Sequence, residues 1–175
     1  MNPLVRTALL AGIMTGAGCF IFSVLIYAVG MNPLMQHKFL FLPLYGIGMI
    51  LAMRYYRINF GDGLMPTWKG IVIGLIINLM ASALYAVMLY MLLSRIDDGM
   101  LKLYQQTAIV FFENNREEMI KNSSKEQFEA MRRNIDLMTP GAVAFDEWIS
   151  KSMFGLILSV LTALAMRKRV EPVKE

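Results

Sequence analysis

The chain has 175 residues, 57% of them hydrophobic and only 17% charged, with one cysteine and a net charge of +4. This composition excludes both an ordinary soluble domain and a disordered polar chain, and a single cysteine excludes an internal disulfide. The modest positive charge follows from the lysines and arginines that flank apolar blocks, so no nucleic-acid partner is required.

Crossing a bilayer takes ~20 apolar residues, and the chain offers four such blocks. In the first, no formal charge falls between Arg6 and Lys38, and residues 7–30 are the densest part. The block is longer than the apolar part of an export signal and stays apolar beyond Cys19, so it reads as a retained anchor. Cys19 reads as a small packing residue. The second block, residues 39–53, reaches span length if Lys38 snorkels and Tyr55 and Tyr56 sit at the interface. Within it, Gly46 and Gly48 permit close helix approach and Pro43 predicts a kink. Residues 70–94 form the third block. The fourth, residues 152–166, needs a snorkelling Lys151 and an interfacial Trp148. With these boundaries no span holds an ionisable residue, which argues against a pump or proton channel.

Between spans three and four lie 57 residues, 95–151, with eight Lys/Arg and ten Asp/Glu. Leu101, Tyr104, Ala108, Phe111, Phe112 and Met119 recur at helical spacing over residues 100–120. A second stripe, Phe128, Met131, Ile135 and Met138, follows a capping box read at Ser123-Ser124-Lys125-Glu126. The pattern predicts two amphipathic helices joined at Asn122–Ser123, with Thr139-Pro140-Gly141 as punctuation. Three units result: residues 1–94 with spans one to three, 95–151 as a helical insertion, and 152–175 with span four, starting near Trp148, and a basic tail.

Charge on the short connections sets orientation. Arg6, Arg54, Arg57, Lys69, Arg167, Lys168, Arg169 and Lys174 fall on one side of a four-span chain, and Lys38 stands alone on the other short connection. Both termini are therefore expected in the cytoplasm, and the 95–151 insertion outside.

Residues 12–29 and 70–87 share a phrase: each opens Gly-Ile-x-x-Gly and closes Tyr-Ala-Val, with six identities in eighteen ungapped positions. The return spans both end in Leu-Ala-Met-Arg, at residues 51–54 and 164–167. A tandem duplication of a two-helix hairpin leaves this pattern; the alternative is coincidence within a small apolar alphabet. If the hairpins are duplicated, they are expected to be related by rotation about the membrane normal. Gly12, Gly16, Gly70 and Gly74 are then expected to sit symmetrically around the bundle axis. Small residues at i and i+4 allow close backbone approach in lipid. Asn78 and Ser82 share one face of span three and are positioned to hydrogen-bond across the bundle. These six are the candidate helix-packing residues.

No constellation of catalytic residues stands out. Asn59-Phe60-Gly61-Asp62-Gly63 lacks the Gly-Lys-Ser/Thr ending of a phosphate loop and reads as a tight turn. Glu117-Glu118 reads as a solvated helix face. Met31, Met35 and His37 are soft enough for Cu(I), but sixteen methionines make such proximity cheap, and each also serves as gap-filler. No metal or cofactor is assigned.

The Asn32-Pro33 turn, Arg54-Tyr55-Tyr56-Arg57 leading through Gly61-Asp62-Gly63 to Trp68-Lys69-Gly70, the acidic insertion and the Arg167-Lys168-Arg169 end together resemble a bacterial family of small four-span membrane proteins known only as a domain of unknown function. The resemblance implies an integral inner-membrane protein and brings no catalytic residues. It also suggests cell-envelope partners, a membrane-associated glycosyltransferase among them. The expectation is an all-α four-transmembrane-helix bundle with an external helical hairpin, embedded in the lipid bilayer. Its expected role is that of a non-enzymatic scaffold or accessory subunit of an envelope complex, bound to an envelope protein or to its own copies. The alternative is a small transporter or lipid-handling protein with a midplane cleft lined by Thr15, Ser23, Asn78 and Ser82.

Overall fold

The computed structural model describes residues 2–35, 37–96, 98–122 and 124–167. Ser123 and the basic tail residues Lys168, Arg169 and Lys174 lie outside the described residues. Helix α1 (Pro3–Ala28) starts where the Asn2 side chain accepts a hydrogen bond from the Leu4 amide at 2.9 Å, with Pro3 at the first helical position. A single 3-10 turn at Lys38–Leu40 leads into α2 (Phe41–Phe60). Helix α3 (Thr67–Met91) runs on into a π-helical turn, Leu92–Ile96. Three shorter helices follow, α4 (Gly99–Asn114), α5 (Arg116–Asn122) and α6 (Lys125–Asp136), and α7 (Pro140–Met166) is the last element among the described residues. Four helical segments, ending at Ala28, Phe60, Ile96 and Met166, are long and apolar enough to cross a membrane. The chain is an all-α, multi-pass membrane bundle.

Helix α3 is the central helix, packed along α1 on one side and α7 on the other, while α2 bridges α1 and α7. Its two sides are built from small residues. On the α1 side, a Cβ added to Gly12 would lie 2.7 Å from the Met80 Cβ, and one on Gly16 would lie 2.8 Å from the Ala81 carbonyl oxygen. On the α7 side, a Cβ on Gly70 would meet the Ala163 Cβ at 2.9 Å and one on Gly74 the Ser159 Cβ at 2.7 Å. The outward faces are apolar, with Leu10, Met14, Ile21, Leu51, Leu79 and Leu161 all exposed. Such a surface suits lipid as the solvent, while the backbone polar groups are satisfied inside the helices.

The glycine contacts correct the expected symmetry. A two-fold axis that carried α1 onto α3 would return the α3 glycine face to α1. The structure instead turns Gly12 and Gly16 onto α3 and turns Gly70 and Gly74 onto α7. A central helix must offer close approach to two neighbours, and α3 does so with its glycines on one side and Ile77 and Ala81 on the other.

Four local expectations also change. Pro43 lies in the first turn of α2, where its missing N–H would have no intrahelical partner in any case, so the usual cause of a proline kink is absent. The capping box belongs to Ser124 and Gln127: Ser124 Oγ accepts from the Gln127 amide at 3.2 Å, and Gln127 Oε1 accepts from the Ser124 amide at 3.2 Å. The helix expected over residues 100–120 is interrupted at Asn115, so among the described residues three helices, α4 to α6, stand where two were expected. Most consequentially, α7 begins at Pro140, where Thr139 Oγ1 caps the Ala142 amide at 3.2 Å. Glu147 and Lys151 therefore belong to the body of a membrane-length helix.

The α2–α3 connection is a tight turn, as expected. Gly63 adopts φ 77°, open to glycine at little cost, while its amide donates to the Arg57 carbonyl at 3.0 Å.

Candidate functional site

Helix α7 presents one continuous i, i+4 series to the interior: Val143, Glu147, Lys151, Gly155, Ser159 and Ala163 are all buried. The lower three are small and admit the neighbouring helices. The upper charged pair does something different. Glu147 and Lys151 are each 2% exposed, and Lys151 Nζ donates to Glu147 Oε2. From the start of the second membrane-length segment, Lys38 Nζ reaches the other oxygen of Glu147, Oε1, at 3.2 Å and Asp146 Oδ2 at 3.1 Å. The charges form a ladder from the surface inward: Asp146 is 64% exposed, Lys38 20%, and the inner pair almost fully enclosed. Two cations face two carboxylates, so the group is neutral as a whole.

Aromatic rings close the inner end. Lys151 Nζ lies 3.9 Å from the centroid of Tyr85 on α3 and 4.7 Å from that of Phe41 on α2. The negative ring faces replace water around the ammonium. Tyr85 is held in turn by a 3.1 Å hydrogen bond between its hydroxyl and Ser23 Oγ on α1, and Phe41 packs edge-on against Tyr45. One charged side chain on α7 thus meets groups from α2 and α3, and α1 is reached through Tyr85. An ionisable residue at such depth is expensive to bury and marks a site by default. Its neutrality and complete pairing suit a latch that fixes helix register better than a seat for a charged ligand.

The predicted packing residues lie below this group. Asn78 Nδ2 donates to the Ser152 carbonyl at 2.8 Å, Ser152 Oγ donates to Ser82 Oγ at 3.0 Å, and Gly155 sits so close to the Asn78 amide that any Cβ there would overlap it. Thr15 packs against Gly48 in the same way. The structure thus brings Gly70, Gly74, Asn78 and Ser82 together on the α3–α7 seam and places Gly12 and Gly16 on the α1–α3 seam. The four polar residues expected to line a shared midplane cleft are instead split among seams: Asn78 and Ser82 between α3 and α7, Thr15 between α1 and α2, and Ser23 between α1 and α3.

The α4–α6 unit covers the same end of the bundle. Asn32, buried in the α1–α2 connection, donates from Nδ2 to Thr107 Oγ1 at 3.0 Å and to the Leu103 carbonyl at 3.4 Å, while its Oδ1 accepts from the Leu34 amide at 3.0 Å. Helices α4 and α6 join through Gln105, which donates to the Ile135 and Met138 carbonyls at 3.3 and 3.4 Å, and through a Phe112–Phe128 ring contact. An Arg132–Glu113 ion pair at 2.8 Å adds a third link. Burial, reinforced by the Asp146 charge, pushes the Tyr104 phenol above its ordinary range. His37 Nδ1 lies 3.3 Å from the Asn32 carbonyl, which gives that imidazole a partner within the turn.

Sequence reasoning missed Lys38, Glu147, Lys151, Tyr85 and Asn32. The signal for Glu147 and Lys151 was present: the small-residue series Ala163, Ser159, Gly155, read backwards in steps of four, lands on both.

Residues 10–168 match the family described as a protein of unknown function, DUF4199, and the chain belongs to that family. No curated protein and no solved structure matches it.

Proposed function

We propose that this chain is a non-enzymatic accessory or scaffold protein of the bacterial inner membrane, with both termini in the cytoplasm and α4–α6 outside as the surface that engages another envelope protein. One observation carries the reading: the bundle interior spends its charges on a neutral, enclosed cluster, whereas α4 and α6 leave apolar side chains facing outward. Val110, Phe111 and Met131 are exposed (Phe111 by 47%), and the Glu113, Arg116 and Arg132 ion pairs lie on the same unit. Apolar anchors bordered by charge have the anatomy of a protein interface. The loading of Lys/Arg onto the other side of the bundle supports the orientation.

The test is a photo-crosslinking amino acid at Phe111 in whole cells. A discrete adduct with one other envelope protein is expected, reduced by a second substitution at Met131. Adducts with lipid only, with copies of the same chain only, or no adduct would overturn the reading.

A further inference from the structure

The two seams of α3 are closed by glycine contacts, but α1 and α2 are not joined in that way along their length. They touch closely where Gly48 meets Thr15, and a groove between them runs from the Arg6 end past that contact to Gly18 and Leu44. The wide end of the resulting groove, about 440 Å³, is lined by Arg6, Thr7, Leu10, Tyr55 and Phe60 among others. It narrows into a recess of about 250 Å³ reaching Gly18, Leu44 and Ile47. Both parts share Ala11, Met14, Leu51 and Ala52, so they form one continuous channel open on the lipid-facing side of the bundle.

We infer that this groove holds one anionic phospholipid, its phosphate against Arg6 and one acyl chain laid along α1 and α2. The inference stands apart from the proposed partner surface on α4–α6 and rests on three features. Polarity runs one way along the groove: a guanidinium, a hydroxyl and a phenol at the wide mouth, then methyl, methylene and thioether groups only until Thr15. Charge is complementary: residues 1–60 contain no Asp or Glu, and among the described residues no carboxylate pairs with Arg6. Arg6 also lies in the first turns of α1, where the helix dipole adds positive potential. Length is the third: from Arg6 to Gly18 the helix rises ~18 Å at about 1.5 Å per residue. This compares with the ~15 Å of one leaflet in a hydrocarbon core ~30 Å thick. A phospholipid of the leaflet on the Arg6 side fits in head position and in chain reach.

The experiment uses the full-length chain purified in mild detergent, exchanged into phosphatidylglycerol-containing nanodiscs, re-extracted and examined by native mass spectrometry. One retained phosphatidylglycerol per chain is expected. Arg6→Gln should lower its retention about fivefold, the effect of one basic residue near an anionic surface. Leu51→Trp, which fills the groove from its exposed rim, should lower retention without altering charge. Lys102→Gln, on α4, should leave it unchanged. Glycerol phosphate added alone should not compete, which separates a lipid from a free phosphate. Circular dichroism of each variant shows that the fold is kept. Equal retention by wild type and Arg6→Gln, an equal loss in Lys102→Gln, or full retention in Leu51→Trp would overturn the site.

Discussion

Lys151 of α7 places its ammonium 3.9 Å from the ring centroid of Tyr85 on α3 while donating to Glu147 one turn away. This contact links the α3–α7 seam to the charge cluster. A buried charge keeps its place only when its partners are fixed, so the pair sets the rotation of α7 against α3.

Removing Glu147 leaves Lys151 buried without a counter-charge, whereas removing Lys151 leaves Glu147 paired with Lys38 at 3.2 Å. Glu147→Gln should destabilise the bundle by about 3–5 kcal/mol and Lys151→Met by less, whereas replacing both by apolar residues should cost less than the sum. Denaturant unfolding in detergent, followed by tryptophan fluorescence, measures the cycle. Additive losses would show that the two charges do not act as a pair.

The glycine seams make a graded prediction. Gly16→Ala places a methyl against the Ala81 backbone at 2.8 Å and Gly74→Ala against Ser159 at 2.7 Å, so helices must move apart. Each should cost about 1–3 kcal/mol by overpacking. Gly18→Ala has nothing within 4 Å and should be tolerated. Thermal unfolding of the three variants checks the order; a Gly18→Ala loss equal to the others would contradict the seams.

Four membrane-length helices were legible because charge-free blocks report the requirement of the bilayer core directly. The α4–α6 stripes were legible in part, from helical periodicity: Phe128 and Ile135 are buried at the predicted spacing, whereas Phe111 and Met131 of the same stripes are exposed. The site was not. A boundary drawn at the nearest charge excludes Glu147 and Lys151 from the span, although the helix that contains them starts at Pro140. Hydropathy weighs each residue alone, whereas burial of Lys151 depends on Phe41 and Tyr85, which are 110 and 66 positions away. The duplicated phrase misled in a similar way: it fixes which residues are small, but the neighbour that uses them is a property of the assembled bundle.

Orientation is open to a labelling test. In a Cys19→Ala background, a cysteine at Ser124 should react with an impermeant thiol reagent applied to intact spheroplasts, and one at Asp62 should react only after permeabilisation. Reversed reactivity would place α4–α6 in the cytoplasm and remove the envelope-facing surface.

Asn32 ties the α1–α2 connection to α4. Asn32→Ala should loosen the α4–α6 unit while leaving the four-helix bundle intact, because its amide spans to Leu103 and Thr107 without entering the charge cluster. Hydrogen exchange should quicken in α4 by about tenfold, the loss of roughly 1.4 kcal/mol of local stability, with α3 unaffected. Uniform quickening throughout would contradict the separation.

We propose that the charge cluster is a latch and that the working surface is α4–α6. The most direct measurement is photo-crosslinking from Phe111 in a Glu147→Leu/Lys151→Met double variant shown to be folded. A latch predicts the same protein adduct, in the same yield, as the parent chain. A folded double variant that loses the adduct would mean that the buried charges take part in the function itself, and would contradict the account.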